Sequence, residues 1–298
     1  MAKSKKDGFQ LTYWLQNLFL RGLFGVLLAL PYRVRVPLAG WCVAHIVAPA
    51  AGYRKRVRDN LRRILPQMPK AHRDQMALQV PNNVGRSLIE IYSGAEFVDH
   101  VIDTPVLGDG FGAILEAQAR GQGVILVAGH FGNYDVIRGV LTAKGHPVAG
   151  LFNPMRNPYF DGHYRAKIGQ ISQPMFARSR RGLAEMVQYL RGGGMVGMLI
   201  DQHMPKGKDL LFFGQIARTA LSAAEMALKY DLLLVPVNAV RQPDGLSFEI
   251  IVDKPIARGD PAQMTQALND SLEALVRRYP AQWFWIHRRW RWPAAPDQ

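Results

Sequence analysis

With one cysteine, Cys42, in 298 residues, the chain cannot form an internal disulfide or assemble a thiolate metal site. The eight histidines are scattered with no H-E-x-x-H spacing, so no metal ligand set is indicated. G-x-S-x-G is also missing: Gly245-Leu246-Ser247-Phe248-Glu249 lacks the second glycine, which argues against a serine nucleophile elbow. Gly192, Gly194 and Gly197 fit G-x-G-x-x-G, but they precede a strand instead of joining strand to helix, so a dinucleotide site is not expected either. There is no internal repeat or low-complexity tract, and no cofactor is expected. Acidic residues are also in short supply. The 23 Asp and Glu against 37 Lys and Arg leave a formal +14, which suits an anionic partner: a membrane face, an acidic carrier protein, a phosphorylated substrate or nucleic acid.

Apolar residues make up 48% of the chain, enough for a buried core. After Lys3, Lys5 and Lys6 the sequence runs apolar and aromatic from Phe9 to Leu30, interrupted mainly by Gln16, Asn17 and Arg21. No small-residue cleavage site follows, so the segment reads as retained. Arg21 near its middle would cost roughly 2.5–3.5 kcal/mol in a bilayer, which leaves a tilted span and an interfacial helix as competing forms of a membrane anchor, with an ordinary buried helix as the alternative. The expected division is an anchoring helix over residues 1–35 and one domain over residues 36–298. Tyr53 to Leu65 reads as a basic helix closed by Pro66 and Pro69, and Arg73 to Tyr92 as another.

From Gly123 the pattern changes. Val124–Ala128, Met195–Ile200 and Leu232–Val237 are short continuous apolar runs, as expected for strands buried on both faces, and Phe248–Val252 reads as a further strand. Helical segments at 133–144, 182–190, 219–230 and 261–279 alternate with or follow them. This is an α/β pattern, with a mostly parallel central sheet flanked by helices.

The most informative stretch is Gly129-His130-Phe131-Gly132-Asn133-Tyr134-Asp135, where a buried strand turns into a helix at the sheet edge that binds ligands. Asp135 falls in the first helical turn, where it can fold back on His130. A carboxylate on one imidazole nitrogen frees the other as a general base. An H-x4-acid spacing alone is weak, and a histidine that merely caps the turn is the competing account. Backbone N–H groups at Gly132 to Tyr134 could face an oxyanion. Asp201, at the end of its own strand, should share the same edge. Arg165, Arg178, Arg180 and Arg181 could grip phosphates or an acidic protein, or form a solvated basic face. Trp283 to Trp292 holds four Trp and three Arg; it fits a headgroup interface, base stacking or a partly buried strand.

Taken together, the chain resembles the lauroyl/myristoyl acyltransferases of lipid A biosynthesis, within the lysophospholipid acyltransferase superfamily. The likeness covers roughly residues 10–292. It is carried by Arg56-Val57-Arg58-Asp59-Asn60-Leu61, the His130 turn with Asp135, Asn157-Pro158 with Asp161, Asp201-Gln202, Phe212-Phe213-Gly214 with Thr219, and Trp283 to Arg289. One departure is Asn153-Pro154 with Arg156, where the family usually has an Arg directly before the proline. The resemblance implies a membrane-bound enzyme on the cytoplasmic side of the bacterial inner membrane. It would transfer a fatty acyl chain from acyl carrier protein to a hydroxyl of an anionic lipid A precursor, and nucleic acid would not be a partner. His130 would be the base and Asp135 its orienting partner, with Asn133, Arg165, Arg181 and Asp201 as substrate-binding candidates. Another glycolipid or phospholipid acceptor, or a non-catalytic basic membrane or nucleic-acid binding protein, are the alternatives.

Overall fold

The computed structural model describes residues 10–291; the basic start at Lys3, Lys5 and Lys6, and Trp292 at the other end, lie outside the described residues. The amino-terminal third is helical: α1 (Leu11–Leu28), α2 (Tyr32–Cys42), a π-helical turn (Val43–Val47), α3 (Ala48–Ala50), α4 (Tyr53–Ile64), α5 (Lys70–Ser93) and α6 (Ala95–Val101). The remainder alternates strand and helix: β1 (Val106–Leu107), α7 (Phe111–Ala119), β2 (Val124–Ala128), α8 (Asp135–Ala143), β3 (Val148–Phe152), α9 (Pro158–Gly169), β4 (Met175–Ala177) and α10 (Arg180–Arg191). There follow β5 (Met195–Leu199), β6 (Lys208–Phe212), β7 (Gln215–Thr219), α11 (Ser222–Lys229), β8 (Leu233–Arg241), β9 (Phe248–Val252) and α12 (Pro261–Arg278).

Local chemistry sets several boundaries. Asn157 caps α9 by accepting from the Tyr159 and Phe160 amides, with Pro158 in the first turn. Asp260 does the same for α12 ahead of Pro261, and Ser179 caps α10. Each satisfies N–H groups that a helix start leaves unpaired.

The seven-stranded sheet has the order β1-β9-β8-β2-β5-β3-β4. Five strands, β8-β2-β5-β3-β4, run parallel, while β9 pairs antiparallel with β8 and parallel with β1. β2 lies between β8 and β5 and is buried at every position, as its unbroken apolar run requires. β6 and β7 form a separate antiparallel hairpin. It takes Thr219, read from sequence as the start of a helix, into a strand. The carboxyl-terminal strand held open as one reading of Trp283 to Trp292 is not found among the described residues: past a 3-10 turn at Pro280–Gln282 the chain makes one isolated bridge, Trp283 to Phe131, and Trp283, Trp285 and Trp290 turn inward.

The sheet flanked by helices agrees with expectation, but α1 is shorter than the segment read as an anchor. Its 18 residues rise about 27 Å, and among the described residues no single helix is long and apolar enough to cross a membrane. On its inner side α1 buries Asn17 and Phe24, and Phe24 stacks on Tyr92 of α5 at 3.9 Å between centroids. Its outer side exposes Phe19 (71%) and Val26 (68%), continued on α2 and the π turn by Trp41 and Ile46. α2 and α5 cross closely. A Cβ on Gly85 would stand 2.5 Å from the Ala39 carbonyl oxygen, so only glycine fits there.

Candidate active site

Two neighbouring parallel strands place the central pair. β2 and β5 are in register, with Ala128 opposite Leu199. His130 and Asp201, each two residues past those positions, therefore emerge side by side at the carboxyl edge. His130 Nδ1 donates to Asp201 Oδ1 at 2.7 Å, and the His130 backbone N–H donates to Asp201 Oδ2 at 2.8 Å. The carboxylate is completely buried and also accepts from Trp283 Nε1 at 2.9 Å. Burial alone would push its pKa up. The charge and hydrogen bond of His130, then the nearby His287, outweigh that and hold Asp201 well below the usual carboxylate range.

Asp135 therefore does not occupy the place expected for it. Its carboxylate is hydrogen-bonded to Arg138 one turn along α8, and Arg138 also reaches the Ser172 carbonyl of the segment before β4. A carboxylate in the first turn of a helix is well placed for a cation at i+3. The in-register strand supplies His130 with a different acid. Both Asp135 and Arg138 line the same cavity as His130.

The turn itself is held from behind. Gly132 has φ 52°, and a Cβ there would stand 2.0 Å from the Ala239 carbonyl oxygen, so glycine is required. The Gly132 carbonyl accepts from Ser87 Oγ and Asn83 Nδ2 of α5, and its N–H donates to the Gln282 carbonyl. That amide is thus engaged and does not face an oxyanion. Asn133, read as a substrate-binding candidate, is fully buried and structural. It donates to Glu90 Oε2 and accepts from the Asp135 amide. Glu90 forms a buried, two-pronged ion pair with Arg241.

The carboxyl-terminal segment closes the other side. Trp283, Trp285 and Trp290 are buried at 1%, 0% and 3% exposure, so their rings serve packing and are not presented to headgroups or bases. Asn60, from the basic helix motif, pins this segment by donating to the Trp285 and His287 carbonyls. His287 stands edge-on to His130 with ring centroids 5.0 Å apart. Burial lowers its pKa to about 4, partly opposed by Asp201, so it is neutral at pH 7. Arg289 is fully buried. Burial lowers its pKa to about 10; it donates to the Gln202 and Arg218 carbonyls and to Thr219 Oγ1.

In front of His130 lies a cavity of about 920 Å³, near the upper end of the ~300–1,000 Å³ range of ligand sites. Ile137, Phe152, Ile168, Met186, Met198 and Met226 contribute apolar wall, and Arg178, Lys206 and Lys208 lie among its lining residues. Two arginines expected at the site are elsewhere. Arg165 covers the Phe152 ring at 5.2 Å with its side chain 57% exposed, and Arg181 is 90% exposed and paired with Glu185. Neither lines the cavity. Both lie on helix faces that point to solvent.

A family model for bacterial lipid A biosynthesis acyltransferases matches residues 1–292. The chain belongs to that family. It is 26% identical over 289 residues to a lipid A biosynthesis acyltransferase of Haemophilus influenzae, covering 92% of this chain and 86% of the relative. With the lipid A biosynthesis lauroyltransferase of Escherichia coli it shares 26% identity over 285 residues, 94% of this chain and 92% of that one. A phosphatidylinositol mannoside acyltransferase of Mycobacterium tuberculosis is 25% identical over 254 residues, with coverage of 80% and 78%. In this acyltransferase, sequence reasoning identified Asp201 as a site residue but gave its seat beside His130 to Asp135. It left out Gln202, Trp283, Glu90 and Arg241. The tryptophan-rich tail and the Asp201-Gln202 pair were visible signals; the Glu90–Arg241 pair, 151 residues apart, had none.

Proposed function

We propose that the acyltransferase moves a fatty acyl chain from the thioester of acyl carrier protein to a hydroxyl of a lipid A precursor, on the cytoplasmic side of the bacterial inner membrane. The observation that carries this reading is the His130 imidazole, tied through Nδ1 to the buried Asp201 while lining a large, mostly apolar cavity. With Nδ1–H donated to a carboxylate, Nε2 holds the free lone pair. It takes the proton of the acceptor hydroxyl as that oxygen attacks the thioester carbonyl carbon. The tetrahedral adduct then collapses, the C–S bond breaks, and the imidazolium returns the proton to the departing thiolate. Asp201 stabilises the imidazolium between these steps, and general base catalysis of this kind contributes ~10²–10⁴ in rate. The apolar wall suits an acyl chain, Arg178, Lys206 and Lys208 suit anionic substrate groups, and the outward apolar face of α1 and α2 suits a lipid surface.

The test is acyl transfer from a panel of acyl carrier protein thioesters to the tetra-acylated, Kdo-bearing lipid A precursor in detergent. Product from the parent, with His130→Ala reduced to background and Asp201→Asn lowered by at least ~10²-fold, supports the reading. Equal activity of folded His130→Ala would falsify it. Product formed only with lysophospholipid or phosphatidylinositol mannoside acceptors would keep the base and replace the acceptor.

A further inference from the structure

Nucleophilic attack on a thioester places negative charge on the carbonyl oxygen, and the rate depends on a donor aimed at it. The turn around His130 has most of its amides committed elsewhere, those of Asn133 and Tyr134 excepted. The amides of His130, Phe131, Gly132, Asp135 and Val136 donate to the Asp201 carboxylate, the Gly129 and Gln282 carbonyls, and the side chain and carbonyl of Asn133. One side-chain amide does reach the reacting edge. Gln202 Nε2 stands 3.3 Å from His130 Nε2, and because Nδ1–H is donated to Asp201, the Gln202 NH₂ must be the donor of that bond. Gln202 lines the cavity, and Arg289 holds its backbone from behind, donating to the Gln202 carbonyl at 3.0 Å.

We infer that Gln202 supplies the oxyanion donor of the proposed transfer. In the free enzyme its amide covers the His130 lone pair. When the acceptor hydroxyl takes that place, the displaced NH₂ turns to the thioester carbonyl oxygen beside it and stabilises the charge that develops there. The Arg289 guanidinium fixes the main chain from which this side chain swings. Among the described residues no carboxylate is hydrogen-bonded to it, and it places positive charge behind the site. No bond is made or broken by Gln202; it donates a hydrogen bond that is stronger in the transition state than in the ground state.

This inference rests on the proposed function, and the experiment separates the two. Steady-state acyl transfer by the full chain in detergent is compared for the parent, Gln202→Ala, Gln202→Glu and Gln202→Asn, with thermal unfolding of each. The expected result is kcat lower by ~10²–10³ for Gln202→Ala, at least as low for the isosteric but donor-free Gln202→Glu, and partly restored in Gln202→Asn, which keeps a shorter amide. KM for the donor should stay within about threefold, and the acid limb of the kcat–pH profile, which reports the base, should not move. Parent-like kcat in Gln202→Ala or Gln202→Glu overturns the oxyanion role and leaves the transfer reading intact. So does a rate lost in Gln202→Ala but recovered at higher pH, because Gln202 would then act only by tuning His130. A parent that acylates no acceptor overturns both.

Discussion

The two ends of the described chain share a composition and meet opposite fates. Residues 283–291 and helix α1 both mix aromatic rings with arginine. The first buries Trp283, Trp285 and Trp290 almost completely, and the second leaves Phe19 and Val26 about two-thirds or more exposed. The difference is what each can hydrogen-bond to and pack against. Trp283, Trp285 and Trp290 each find an acceptor for the indole N–H, in Asp201, Pro280 and Phe212. They also pack ring against ring, edge-on between Trp283 and Trp285 and tilted or stacked on Phe212 and Phe213. Among the described residues, Phe19 and Val26 on the outer face of α1 stay largely uncovered. Aromatic rings beside arginine by themselves therefore do not distinguish a buried segment from an exposed one.

The sharpest way to break this comparison is Trp283→Ala. Removing a buried ring that also donates to Asp201 should destabilise the fold by about 3–5 kcal/mol, measured by denaturant unfolding, whereas Trp283→Phe should lose about 1–3 kcal/mol, mostly from the unpaired acceptor, together with activity. A smaller effect concerns pH. His287 has a folded pKa of about 4, depressed by burial from 6.5, so between those values the unfolded chain binds the extra proton. Stability should be fully present above pH 6.5 and decline as pH falls towards 4, and His287→Asn should flatten that decline. The smallest effect on stability is expected at the other end: Phe19→Glu with Val26→Glu should change unfolding by no more than about 1 kcal/mol in total. The same pair should release the protein from anionic vesicles in a flotation assay. Retained vesicle binding would remove the lipid-facing reading of α1.

β2, apolar throughout, was readable from sequence to the residue because burial on both faces leaves no room for polar positions, and the bounds of β9 were read correctly although it carries Glu249 and alternates buried with half-buried positions. β3 is interrupted by Gly150, and the β6–β7 hairpin turns through Phe213 at φ 54°, a conformation that a bulky residue does not advertise; neither was foreseen. At the site, His130 and the sheet edge were legible. The partner acid was not, because sequence proximity favours Asp135, five residues on, whereas β2 and β5 become neighbours only through the crossover order of the sheet. Arg165 and Arg181 were attractive by charge alone. Charge does not say which face of a helix a side chain occupies, and both point to solvent.

Helix α5 touches both worlds. Through Gly85 it presses against α2, through Tyr92 it receives Phe24 of α1, and through Ser87 and Asn83 it holds the carbonyl of Gly132 two residues beyond His130. One helix thus fixes the position of the imidazole relative to the exposed apolar faces of α1 and α2. Were those faces to rest on a lipid surface as proposed, the distance from that surface to the reacting hydroxyl would be set by this helix and not by the pocket walls.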